Sequence, residues 1–152
     1  MRKVLLAYSS MTGNTELMAQ TIGDYLIEKK HDVITKSFDF DTVEVKELLD
    51  YDAVLIGTLT WVGGGLPFDV EDFYDELDNI DLSGKIVGVF GSADSLYEVF
   101  GGAVDIIADR AESLGANVMP KRLTIDLEPD ENDLEQCQEL AEMVNQALEK
   151  NS

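Results

Sequence analysis

The chain is short of cysteine, histidine and positive charge. Cys137 is the only cysteine, so an internal disulfide is impossible and a cysteine-ligated metal cluster is excluded. His31 is the only histidine, which removes most zinc chemistry and the histidine-based triads. Apolar runs longer than about ten residues are absent, too short to span a bilayer. Met1-Arg2-Lys3 leads straight into Val4-Leu5-Leu6-Ala7. That run is too short for a secretory leader, and no plausible cleavage region follows it. A cytoplasmic location is expected. Eleven Lys and Arg stand against 31 Asp and Glu, a formal net charge of -20. Such a chain repels nucleic acid and anionic membranes. Towards proteins the charge has two readings: attraction to basic patches on partners, or solubility alone.

What is present suits one domain over residues 1–152. With 45% hydrophobic residues, that length can bury one sizeable core. Short continuous apolar runs predict strands over 3–8, 32–38, 51–57, 86–90 and 117–125. Apolar residues at helical spacing predict helices over 15–29, 69–77, 99–114 and 133–148, with Gly115 as a natural stop. Turns are expected over 58–67 and 91–96. Strand and helix alternate five times, and the strands do not alternate in polarity. Helices covering both faces of a parallel sheet explain both features. The fold class is α/β, a doubly wound parallel sheet. Ligands of such sheets sit at the carboxyl ends of the strands, so chemistry is expected in the loops after strands one, three and four.

The first of these loops is Ser10-Met11-Thr12-Gly13-Asn14-Thr15. It offers three hydroxyls, an amide and a glycine, and it opens onto a helix whose free N–H groups and dipole favour an anion. It contains no Lys or Arg, against a nucleoside-triphosphate loop, which needs its lysine. It also lacks the three spaced glycines of a dinucleotide site. A monophosphate held by neutral donors is one reading. A hydroxyl-rich cap, with Thr or Asn serving only as N-cap, is the other. The later loops each carry a large aromatic, Trp61 and Tyr97, among polar residues. The pair could sandwich a flat ring, or each could pack on the domain's own surface.

The loop Ser10-Met11-Thr12-Gly13-Asn14-Thr15 resembles the fingerprint of the flavodoxin family, Ser/Thr-x-Thr-Gly-Asn-Thr, and the resemblance extends over the whole chain. The segment between Asn117 and the last helix looks like the short-chain branch. The resemblance implies a five-stranded sheet of order 2-1-3-4-5, helices on both faces, and FMN at the switch point; flavodoxin is itself a standard illustration of that order. It implies that residues 10–15 hold the phosphate. It implies that the flavin ring lies among Leu59, Thr60, Trp61, Val62 and Gly63 on one side and Ser92, Ala93, Asp94, Tyr97 and Gly101 on the other. Trp61 and Tyr97 would stack on the ring, and backbone N–H groups near Asp94 and Gly101 would bond its pyrimidine edge. Asp69, Glu71, Asp72, Asp94 and Glu98 are the nearby acids. A unit charge at ~10 Å in a water-like medium contributes roughly 0.4 kcal/mol. Several carboxylates would therefore lower the second reduction potential by tens of millivolts.

One position departs from the family pattern. Many members carry glycine after the stacking aromatic, where a peptide flips on reduction. Here that residue is Val62, and a β-branched side chain resists positive φ. The two one-electron steps are therefore expected to lie closer together than in glycine-bearing relatives, unless Gly63 to Gly65 shift the turn. Other residues suggest less. Cys137 falls on the apolar face of the last helix and reads as a small core residue. His31 reads as a solvated surface histidine. The series Asp126, Glu128, Asp130, Glu131 and Asp133 lacks the spacing of an EF-hand loop and reads as a solvated loop and acidic helix start.

The resemblance implies a low-potential electron carrier, not an enzyme, and a monomer. Its partners would be basic-surfaced redox proteins: a flavodoxin reductase and acceptor oxidoreductases. The alternative is a flavin-dependent quinone or azo reductase of the same fold; those relatives are generally longer. A phosphorylatable receiver domain is excluded, because Tyr8-Ser9-Ser10 and Gly57-Thr58 stand where its acids are needed.

Overall fold

A computed structural model describes residues 2–9, 13–38, 40–41, 43–59, 68–77, 80–93, 102–126 and 128–150. Its strands are β1 (Lys3–Tyr8), β2 (Asp32–Ser37), β3 (Ala53–Leu59), β4 (Ile86–Ala93), β5 (Asn117–Val118) and β6 (Leu123–Asp126). Its helices are α1 (Asn14–Glu28), α2 (Phe68–Glu76), α3 (Gly102–Ser113) and α4 (Glu131–Lys150), with a 3-10 helix at Val45–Asp50. The strands pair in parallel in the order β2-β1-β3-β4-β5, and β6 also pairs with β4. Lys3 to Tyr8 run in step with Asp32 to Ser37 on one side, and Val4 to Tyr8 with Ala53 to Gly57 on the other.

The sheet is buried on both faces, which is why its strands read as continuous apolar runs. Val4 and Leu6 of β1 point to one face, where Met18, Ile22 and Leu26 of α1 and Cys137, Leu140, Ala141 and Val144 of α4 pack. Leu5 points to the other, against Val45 and Leu48 of the 3-10 helix, Val70 and Phe73 of α2, and Val104 and Ile107 of α3. Cys137 is a core residue, as its helical position predicts, and burial pushes its thiol up to about 12. No described helix is long and apolar enough to cross a membrane.

The helix ends follow local chemistry. α3 stops before Gly115, with the Ala116 N–H reaching back to the Ala111 carbonyl at 3.1 Å. α4 starts on acids: Asp130 accepts the Asp133 N–H at 2.8 Å, and Asp133 accepts the Asp130 N–H at 3.0 Å. This reciprocal cap satisfies two orphan donors of the first turn.

Several features differ from the sequence expectation. The 3-10 helix at Val45–Asp50 was not foreseen, because six residues are too few to display a period. Glu44 and Glu47 cap it reciprocally. Lys36 donates to Glu47 at 2.6 Å. Burial opposes ionisation of Glu47, but the Glu44 N–H and the Lys36 ammonium outweigh it and hold the carboxyl below its ordinary value. Second, β4 continues through Gly91, Ser92 and Ala93 where a turn was expected. Third, the fifth strand is broken. Asn117 pairs with Ile86 and Leu123 with Phe90, so residues 119–122 face only 88 and 89. Pro120 lies in the break; it has no N–H to give the ladder. Arg122 ties this strap to α3 through Asp109 at 2.7 Å and through Asp105 and Glu112 at 3.3 Å. Fourth, His31 is half-buried and not a solvated residue. Its Nε2 lies 2.8 Å from Asn145 Oδ1, and its Nδ1 is buried with no partner among the described residues.

Candidate functional site

Because the strands run parallel, their carboxyl ends share one edge. β1 ends at Tyr8, and the Ser9 N–H continues the ladder to the Gly57 carbonyl at 3.0 Å. Ser9 is 1% exposed, and among the described residues its hydroxyl has no hydrogen-bond partner. A buried hydroxyl left unmatched costs about 1–3 kcal/mol. That donor sits immediately before the loop expected to hold a phosphate. Thr58, at the end of β3, and Ser92, at the end of β4, are also buried polar residues of this edge.

α1 begins at Asn14 with Gly13 as its N-cap, in the left-handed region at φ 89 and ψ -8. Glycine brings no side chain of its own to the cap. The reading of Thr or Asn as a plain N-cap is therefore overturned: glycine holds the cap position. A Cβ at Gly13 would meet nothing within 4 Å, so the glycine answers to backbone conformation and not to space. An L-residue there costs roughly 1 kcal/mol.

Thr15 is fully buried, and its Oγ1 shares a 2.8 Å hydrogen bond with Ser92 Oγ, 77 residues further along the chain. The bond fastens the first turn of α1 to the end of β4. Two of the three loops singled out in the sequence are thus brought to one place.

The expected site residues fall into three groups. Gly13, Asn14 and Thr15 form the start of α1. Leu59, Ser92 and Ala93 are the terminal residues of β3 and β4, strand residues rather than turn residues. Ser10, Met11, Thr12, Thr60, Trp61, Val62, Gly63, Asp94, Tyr97 and Gly101 lie outside the described residues. Of the nearby acids, Glu71 and Asp72 are exposed on α2. Ser9 is not among the expected residues; continuing β1, it falls on the same face as Leu5 and Ala7, and both faces of this central strand are buried.

The donor set fits a phosphate monoester. It consists of hydroxyls and backbone N–H groups at the positive end of a helix dipole. No Lys or Arg occurs from Ser9 to Glu28. Neutral donors of this kind can hold such an anion without a counter-cation.

Comparisons with known proteins bear on the family and the fold. The family model described as flavodoxin matches residues 6–140. The flavodoxin of Maridesulfovibrio salexigens is 40% identical over 139 residues, covering 88% of this chain and 92% of that protein. The crystal structure of oxidised flavodoxin 1 from Bacillus cereus superposes with a TM-score of 0.91 at 38% identity, covering 95% of this chain and 97% of that one. Oxidised flavodoxin 2 from Bacillus cereus gives 0.88 at 42% identity, covering 95% and 98%. The chain belongs to the flavodoxin family.

Proposed function

We propose that this chain is a monomeric, cytoplasmic carrier that moves electrons between redox proteins on one non-covalently bound FMN, and is not itself an enzyme. Bound FMN supplies one-electron chemistry through its ring. The chain's part is to bind, orient and tune it. Residues 10–15 would wrap the phosphate, with the hydroxyls of Ser10, Thr12 and Thr15 and the amide of Asn14 as donors. Leu59, Thr60, Trp61, Val62 and Gly63 would line one side of the ring. Ser92, Ala93, Asp94, Tyr97 and Gly101 would line the other. The acidic surface would steer docking onto basic partners, a flavodoxin reductase and acceptor oxidoreductases, and would weaken that docking as salt rises. The same charge disfavours nucleic acid and anionic membranes.

The observation that carries the reading is the start of α1: capped by glycine, free of cations, and pinned through Thr15 to Ser92. Calorimetry on the folded apoprotein tests it. One equivalent of FMN should bind, and riboflavin, lacking the phosphate, should bind at least about tenfold more weakly, a difference of 1.4 kcal/mol. No uptake of FMN would end the proposal. Oxidation of NAD(P)H by the purified holoprotein alone would move it to the reductase class.

Val62 gives a finer expectation. Val62→Gly should move the midpoint potentials of the first and second electrons apart. A relief of about 1 kcal/mol corresponds to about 40 mV for a one-electron step. Redox titration followed by visible spectra measures the gap, and an unchanged gap would mean the neighbouring glycines already supply the turn.

A further inference from the structure

Resting on the electron-carrier reading above, we propose that Phe40 is the apolar anchor by which this protein docks redox partners that frame an apolar socket with Lys and Arg. Among the described residues Phe40 is 91% exposed. The next most exposed large apolar residues are Ile27 at 55% and Leu49 at 49%. An aromatic ring left in water to that degree costs hydrophobic free energy that burial against a partner would recover.

The ring is presented by a built turn. The Ser37 carbonyl accepts the N–H of Asp41 at 2.8 Å and that of Phe40 at 3.3 Å. Asp41 in return accepts the Ser37 N–H at 2.8 Å. The base of the turn is fixed by Phe38, whose N–H meets the Tyr8 carbonyl at 2.8 Å and whose ring stands edge-on to Phe73 of α2 at 5.1 Å. Phe38 therefore faces in and Phe40 faces out. Holding a side chain in place before binding lowers the entropy lost on association.

Position and charge select the occupant. β2 runs parallel to β1, so the turn lies on the same sheet edge as Thr15 and Ser92. A partner seated on Phe40 would be on the side of the molecule where electrons leave. Its neighbours in sequence, Asp39, Asp41 and Glu44, are acidic, and the chain carries -20 overall. A second copy, an anionic bilayer and a nucleic acid are all repelled by that charge. A cationic rim around an apolar pocket is attracted by it, and a central aromatic sealed from water by the contacts around it is the usual plan of an interface hot spot.

Stopped-flow reduction of cytochrome c tests the proposal. This basic protein, whose exposed haem edge is ringed by lysines, is the probe, and the reduced holoprotein is the donor. Phe40→Ala should lower the second-order rate about tenfold, the scale of truncating an interface aromatic. Its salt dependence should be unchanged, because no charge is removed. Phe40→Trp should restore the rate. Leu49→Ala, at the opposite sheet edge, should stay within about twofold. Equal thermal melting of the variants separates docking from folding. A loss below about threefold for Phe40→Ala, or an equal loss for Leu49→Ala, overturns the anchor. So would a dimer in sedimentation that Phe40→Ala dissolves, since the occupant would then be a second copy. If the parent protein binds no FMN or passes no electrons, the failure belongs to the carrier reading and not to Phe40.

Discussion

Gly91→Ala should lose about 3 kcal/mol or more of stability, read as a fall in the urea midpoint at constant m-value. Gly91 faces Thr58 across the β3–β4 ladder. A Cβ at Gly91 would lie 2.1 Å from the Thr58 carbonyl oxygen and 2.9 Å from Val104 Cγ2. Neither neighbour can yield cheaply. Thr58 is backbone in a central strand and 0% exposed, and Val104 is buried at 1% in α3. The strands would have to separate where they deliver Ser92 to Thr15. Gly88→Ala is the contrast. Its Cβ would meet Leu55 Cδ2 at 2.5 Å, the far end of a side chain that can rotate, so a loss of about 1 kcal/mol is expected. If Gly91→Ala loses no more than Gly88→Ala, the close approach of β3 and β4 is not what the position requires.

Thr15→Val should cost about 1–3 kcal/mol in the apoprotein and weaken FMN binding about tenfold or more. Valine keeps the shape but removes the hydroxyl, leaving Ser92 Oγ buried without its partner. Ser92→Ala strands Thr15 in the same way. The double variant should be less destabilised than the sum of the two, because it removes both buried groups together. Denaturation reads the first effect and calorimetry with FMN the second. The two separate the brace from the ligand contact. Full FMN affinity in Thr15→Val, with stability reduced, would leave Thr15 as a purely structural brace.

The alternation of strands and helices was legible because burial on both faces makes each strand a short apolar run and each helix an amphipathic stripe. The order β2-β1-β3-β4-β5 came from the family likeness carried by residues 10–15, not from pattern. What stayed hidden was short or long-range. The 3-10 helix has no period to detect, although its Glu44 and Glu47 are spaced as a capping box. The break in the fifth strand has visible cues in Pro120 and the charged Lys121 and Arg122 that follow it, set between the apolar pieces Val118-Met119 and Leu123-Thr124-Ile125. The Thr15–Ser92 bond joins residues too far apart in sequence for any local rule, and so does the His31–Asn145 contact. Within the site, the hydroxyl-rich loop left an anion site and a helix cap both open, and the choice of Gly13 as cap depends on its left-handed φ, which composition alone does not reveal.

The break between β5 and β6 has a further consequence. An open sheet exposes a rim of unpaired amides and carbonyls that can recruit a foreign strand. Here the register jump splits the edge strand itself into pieces of two and four residues, and Pro120 contributes no donor between them. An incoming strand would find no continuous template on which to grow, so the flank that carries the end of β4 is guarded against runaway self-association by its own irregularity.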